Sequence, residues 1–221
     1  MLADLPFDYL NVDLQHGSGD YDSMYASFQA MRTSAAMPFA RVPWNEPGII
    51  GRVLDAGAMG VIIPMVNSVQ EAADAVAACR YPPVGRRSYG PLRAAVALGE
   101  RYFEESNDQV AVVPMIETAQ ALDSIDAILE VEGIDAIYVG PSDLSLSLGL
   151  APGNHNDDPL FTESLLKIVD ACRRHGVIPG IHCQPDLVAL RRSQGFKMIT
   201  AVSDTHALLD GASRGLAAAR G

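Results

Sequence analysis

The feature that most constrains this chain is a repeat. A short, near-continuous apolar run is followed by a polar or Gly/Pro break and then by an amphipathic stretch of helical period. Runs such as Val61-Ile62-Ile63 and Val110-Ala111-Val112-Val113 do not alternate apolar with polar residues, so both faces of each strand must be covered. Strands are predicted at 8–13, 37–43, 60–65, 110–117, 136–141, 178–183 and 197–203. Between them, 68–80 opens with Ser68 and carries Glu71 three residues later, a capping box. The segment 118–132 opens with Thr118, and 160–175 stops at Gly176. Strand–helix alternation over the whole length means an α/β fold with a parallel sheet. Pattern alone leaves a closed barrel and a doubly wound open sheet both standing, and seven strands are one fewer than a closed barrel wants. The longest break, 82–107, opens PPVGRRSYGP and is read as a long connection of the kind that often carries function.

A chain of 221 residues suits one domain, taken here as 1–221. A net charge of −11 argues against nucleic acid or an anionic membrane surface as partner, since both need basic patches. No apolar run approaches the roughly 20 residues that span a bilayer. Three cysteines, none in a CxxC pair, and an opening MLADLPFDYL without a basic stretch imply a reducing, cytoplasmic location.

In parallel α/β proteins ligands bind beyond the carboxyl ends of the strands. The residues there are Asp13 to Gly17, Arg41 to Trp44, Pro64-Met65, Met115 to Thr118, Gly140 to Asp143, His182 to Gln184 and Ser203 to His206. Thr118 reads as a helix cap, and Ser142 or Asp143 reads equally well as one. Glu117 closes an apolar run, where a carboxylate needs a partner or a metal. Arg41, between Ala40 and Val42, needs an anion or a carboxylate. His16, next to Gly17, is either functional or a turn residue. His155 reads as solvent-exposed, His175 as a cation at a helix C-terminus, and His206 as part of the first turn of the last helix.

At these residues the chain resembles the HpcH/HpaI aldolase family of metal-dependent (class II) pyruvate aldolases. The stretches that carry the resemblance are NVDLQHG (11–17), ARVPWNEP (40–47), GRVLDAGAMGVIIPMVNSVQEA (51–72), CRYPPVGRRSYGP (79–91), PMIETAQALDSIDAI (114–128) and GIDAIYVGPSDLSLSLG (133–149). The resemblance implies a (β/α)8 barrel, a divalent ion such as Mg2+, Mn2+ or Co2+, and pyruvate as the shared fragment. It also implies a homo-oligomer, often a hexamer in which the last helix packs across subunits. Glu117 and Asp143 resemble the metal-binding carboxylates, His16 the catalytic base, and Arg41 the arginine that steadies the enolate. Asp55, in RVLDAG, matches the aspartate that raises the basicity of that histidine; it belongs to the opposite end of the barrel, so any such help comes across a subunit contact. Asp13 lies near His16 and is a second candidate to orient it. The backbone from Gly140 through Pro141 to Ser142 matches the stretch that holds the pyruvate carboxylate. The implied reaction is reversible retro-aldol cleavage of a 4-hydroxy-2-oxo acid to pyruvate and an aldehyde.

Two departures stand out. Met115 occupies a position where some members carry a glutamine, so contacts to the substrate there differ. The first strand and helix of the family's barrel are absent, so the expectation is either a start that is truncated or misassigned or a barrel that closes differently. Lys167 and Lys197, the two lysines, lie mid-helix and at the start of a strand, which disfavours a Schiff-base aldolase. The alternatives are a malyl- or citramalyl-type lyase acting on a coenzyme A thioester, with Arg86, Arg87 and Arg93 near the coenzyme, and a non-catalytic homologue. Oxaloacetate decarboxylation is a third, related reaction.

Overall fold

The computed structural model describes residues 1–220. Its seven strands are β1 (Tyr9–Asp13), β2 (Met37–Arg41), β3 (Gly60–Ile63), β4 (Ala111–Ile116), β5 (Ala136–Val139), β6 (Ile178–His182) and β7 (Met198–Thr200). All seven predicted strands form, each shorter than its apolar run. They lie side by side in chain order and every pairing is parallel. The doubly wound alternative is thereby set aside, because it needs the strand order to reverse. The sheet curls: on its inner side the Tyr9 hydroxyl of β1 lies 3.4 Å from Thr200 Oγ1 of β7, and the Tyr138 hydroxyl of β5 bonds the same oxygen. No ladder joins β1 to β7 among the described residues, so the architecture is a (β/α) barrel open at that seam.

The helices on the outside are α1 (Tyr21–Ala30), α2 (Pro47–Asp55), α3 (Val69–Cys79), α4 (Leu92–Leu98), α5 (Tyr102–Gln109), α6 (Ala119–Asp123), α7 (Ile125–Leu129), α8 (Pro141–Ser147), α9 (Pro159–His175), α10 (Val188–Ser193) and α11 (Asp204–Arg220). Two predictions change here. The break at 82–107 holds α4 and α5, and the helix expected over 118–132 is two short helices meeting at Ser124. Caps fall where the sequence places them: Ser68 Oγ accepts from the Glu71 N–H and Thr118 Oγ1 from the Ala121 N–H, while Gly176 ends α9 at φ 72°. The Glu71 carboxylate, however, takes the N–H of Asn67 rather than that of Ser68.

Period-two alternation divides each strand between two cores. Val61, Ile63, Val112, Ile116, Ile137, Val139 and Ile181 face outward into the helix layer. Ile62, Val113, Met115, Ala136 and Tyr138 face inward, with Phe39 and Met198, and fill the barrel. Gly60 is required there, since a Cβ would lie 2.3 Å from the Phe39 ring. Apart from Asn11 in the middle of β1 and the hydroxyls of Tyr9 and Tyr138, the inward row is apolar below, and its charged residues gather at the carboxyl ends.

Candidate active site

Glu117 is the centre of that rim. It follows β4 on the inward side and is 2% exposed. Oε1 accepts a 2.7 Å hydrogen bond from the main-chain N–H of Met65, the residue two past β3. Met65 is the one non-glycine residue with positive φ among those described, at 56°, and this strained turn aims its N–H at the carboxylate. On the other side stands Gly140, whose Cβ, if present, would lie 2.3 Å from Glu117 Oε2 and 3.1 Å from Met115 Cε. A glycine is therefore the condition for the carboxylate to sit where it does, with Met115 as the apolar floor beneath. Burial pushes the Glu117 pKa up to about 7, with the nearby Asp143 carboxylate adding to the rise and the Met65 N–H and Arg41 opposing it.

Asp143 lies in the first turn of α8 and is exposed. Neither it nor Ser142 caps the helix: Gly140 is the N-cap residue and no side chain closes that end. Arg41, at the end of β2, is half-buried and finds its carboxylate in Asp13, directly opposite on β1. Nε donates to Oδ1 at 2.9 Å and an Nη bonds the other oxygen, a bidentate pair. Arg41 holds the Asp13 carboxyl below its ordinary pKa against the opposing effect of burial.

His16 lies on the exposed loop after β1. Asp13 touches it only through the main chain, accepting its N–H at 3.3 Å, so Asp13 shapes the turn rather than orienting the imidazole. Asp55 is not brought to His16. At the C-terminal end of α2 it accepts from the buried Arg87 at 2.8 Å, at the opposite end of the barrel from the rim. Arg93 bonds the Ala56 carbonyl next to it, and Arg86 pairs with Asp74 on α3, so Arg86, Arg87 and Arg93 are each engaged. His155 and His206 are exposed; His175, at the end of α9, bonds Asp126.

The sequence does not single out two groups at this rim. The Met65 N–H is a main-chain donor that no side-chain pattern reveals. His182 ends β6 and faces inward by the same alternation that turns Gly180 toward Tyr138. A period-two reading of 178–183 would have found it.

The donor set fits a hard divalent cation. Burial and the neighbouring Asp143 disfavour the anionic form of Glu117, and a divalent cation held by Glu117 and Asp143 would offset both penalties. Among the described residues no cluster of three or more His, Cys, Asp or Glu gathers, so two carboxylates leave most of a cation's positions to water and substrate oxygens. No helix among the described residues is long and apolar enough to cross a membrane.

Comparison with known proteins bears on this arrangement. The family model described as HpcH/HpaI aldolase/citrate lyase matches residues 2–211. A hydroxypyruvate/pyruvate aldolase of Rhizorhabdus wittichii is 36% identical over 214 residues, covering 96% of this chain and 85% of its own. A 4-hydroxy-2-oxo-heptane-1,7-dioate aldolase of Escherichia coli is 34% identical over 221 residues, covering 99% of this chain and 84% of its own. The crystal structure of an HpcH/HpaI aldolase/citrate lyase family protein from Burkholderia cenocepacia superposes with a TM-score of 0.92 at 30% identity, covering 100% of this chain and 88% of that one.

Proposed function

The chain belongs to the HpcH/HpaI aldolase/citrate lyase family, and from that premise we propose that it is a class II pyruvate aldolase, cleaving a 4-hydroxy-2-oxo acid reversibly to pyruvate and an aldehyde. The observation that carries the reading is Glu117: a buried carboxylate held by a strained main-chain donor and accommodated by a glycine, with a second carboxylate beside it. Glu117 and Asp143 would hold the divalent ion, with Mg2+, Mn2+ and Co2+ the candidates. Once bound, it supplies Lewis-acid polarisation of the substrate ketone. Arg41, kept in place by Asp13, puts a fixed positive charge near the same oxygen. The uncapped main-chain N–H groups of Ser142 and Asp143, after Gly140 and Pro141, suit the pyruvate carboxylate. Met115 offers that substrate only an apolar surface. His16, on its exposed loop, removes the proton of the C4 hydroxyl in the cleavage direction, help worth about 10²–10⁴ in rate. Asp55 can assist His16 only from a neighbouring subunit, which ties catalysis to a homo-oligomer, and the family resemblance makes that a hexamer. The unit is the single barrel domain 1–221, acting on small molecules in the cytoplasm.

The coenzyme A thioester reading keeps only Arg86 near the rim, since Arg87 and Arg93 hold the far end of α2. The test is proton exchange. With pyruvate and Mg2+ or Mn2+ in D2O, the methyl proton signal is expected to decay, and to persist with EDTA or in Glu117→Ala. Decay that survives both controls, or no decay with either metal, overturns the reading.

A further inference from the structure

His182 has no part in the chemistry above, yet its place in the sheet puts it in the same hollow. The registers Met115–Tyr138 and Ile116–Val139 set Glu117 beside Gly140 one residue on, and Val139–Ile181 sets Gly140 beside His182. His182 itself pairs with Thr200. The inward row at the rim therefore reads Glu117, Gly140, His182, Thr200. Gly140 contributes no side chain, so Glu117 and His182 face each other across a gap, their main chains about 10 Å apart at two inter-strand spacings.

The imidazole is half-buried, and among the described residues it has no hydrogen-bond partner. The titratable groups whose fields reach it are Arg41, His206 on α11 and Asp13 on β1. Burial and then Arg41 hold its pKa below the ordinary imidazole range, so it is neutral near pH 7 and carries one donor and one acceptor. That pair can donate to a hydroxyl or accept from it, whereas a carboxylate could use only the donor. The anionic pyruvate unit is already served by Glu117, Asp143, Arg41 and the start of α8. His182 stands on the far side of Gly140, toward Thr200 and the open seam of the barrel, so a group that reaches it extends beyond pyruvate.

We propose that His182 is a specificity-determining residue that hydrogen-bonds a hydroxyl on the carbon next to the aldehyde carbonyl, so that the chain takes α-hydroxyaldehydes in preference to alkyl aldehydes of the same size. The inference rests on the aldolase reading. Its test compares glycolaldehyde with propanal, at saturating pyruvate and Mg2+, in the wild type, His182→Leu and His182→Gln. The ratio of their kcat/KM values is expected to fall roughly tenfold in the leucine variant, the scale of one lost hydrogen bond in a site built for it. Glutamine, which keeps a donor and an acceptor, is expected to restore most of the ratio. Exchange of the pyruvate methyl protons is expected to stay at the wild-type rate in both variants, which also reports that they are folded. An unchanged ratio, or exchange and both aldehydes falling together, overturns the proposal. A wild type without pyruvate exchange overturns the aldolase reading instead, and this proposal with it.

Discussion

Glu117 couples the site to the stability of the fold. Its carboxyl titrates at 4.5 in a solvated chain and at about 7 where it is buried. The folded protein without metal thus binds the proton more tightly than the unfolded chain does. The stability this contributes is complete below pH 4.5 and is lost as pH rises toward 7, on the order of 3 kcal/mol. Asp13, with its lowered pKa, acts in the opposite sense and at lower pH. In EDTA, the melting temperature of the wild type is expected to fall relative to Glu117→Gln between pH 5 and 8. Parallel curves for the two proteins would mean that Glu117 is not buried as an ionisable group. Excess Mn2+ is expected to reverse the trend above pH 7, because only the ionised carboxylate binds it. At this scale the sequence was informative for side chains that break a pattern, as Glu117 and Arg41 break apolar runs. It was silent on Met65, whose contribution is a main-chain N–H, and on the Asp13–Arg41 pair, which spans 28 positions in sequence and exists only through the β1–β2 register.

Among the elements, the loops after β3 and β4 act as one unit through Asn67. Its amide donates to the Met65 carbonyl at 2.9 Å, its Oδ1 accepts from Thr118 Oγ1, and its own N–H is held by Glu71 at 2.6 Å. Asn67 thereby fixes the left-handed turn at Met65 against the residue that follows Glu117. Asn67→Ala is expected to weaken Mn2+ affinity about tenfold, as loss of a group that orients a ligand does. Titration followed by electron paramagnetic resonance measures this, and an unchanged affinity would reduce Asn67 to a local turn residue. The same scale shows what periodicity can and cannot deliver. Strands buried on both faces left unmistakable apolar runs. The break at Ser124 was hidden because Ala121, Leu122, Ile125, Ile128 and Leu129 all stay buried on either side of it, so the helical period continues through the interruption. In α4 and α5 the signal failed differently. Neither helix has a side-chain cap, and α4 buries only Ala94 while α5 buries only Tyr102 and Ser106, so neither a cap nor a continuous apolar stripe marks them in the sequence.

For the whole molecule, α11 is the argument for assembly. It is 17 residues long and has no buried residue. Leu208, Leu209 and Leu216 are 73%, 60% and 56% exposed. Leu209, Ala212, Leu216 and Ala219 recur at the 3-4-3 spacing of one apolar stripe. A helix that buries none of its residues gains little from tertiary packing, the main source of helix stability in proteins, so its stripe calls for a covering surface. A second copy of the chain would supply one, and it is also what Asp55 would require to reach a His16. The wild type is therefore expected to sediment as a multiple of the protomer, and the double variant Leu209→Lys, Leu216→Lys at a lower mass. The two features then make a joint claim. If assembly brings Asp55 to the rim of a neighbour, dissociated protomers lose aldol cleavage while keeping Glu117 and Asp143 in place, so Mn2+ affinity persists where cleavage is lost. Cleavage that continues unchanged in monomers would remove Asp55 from the mechanism and leave α11 with a purely structural role.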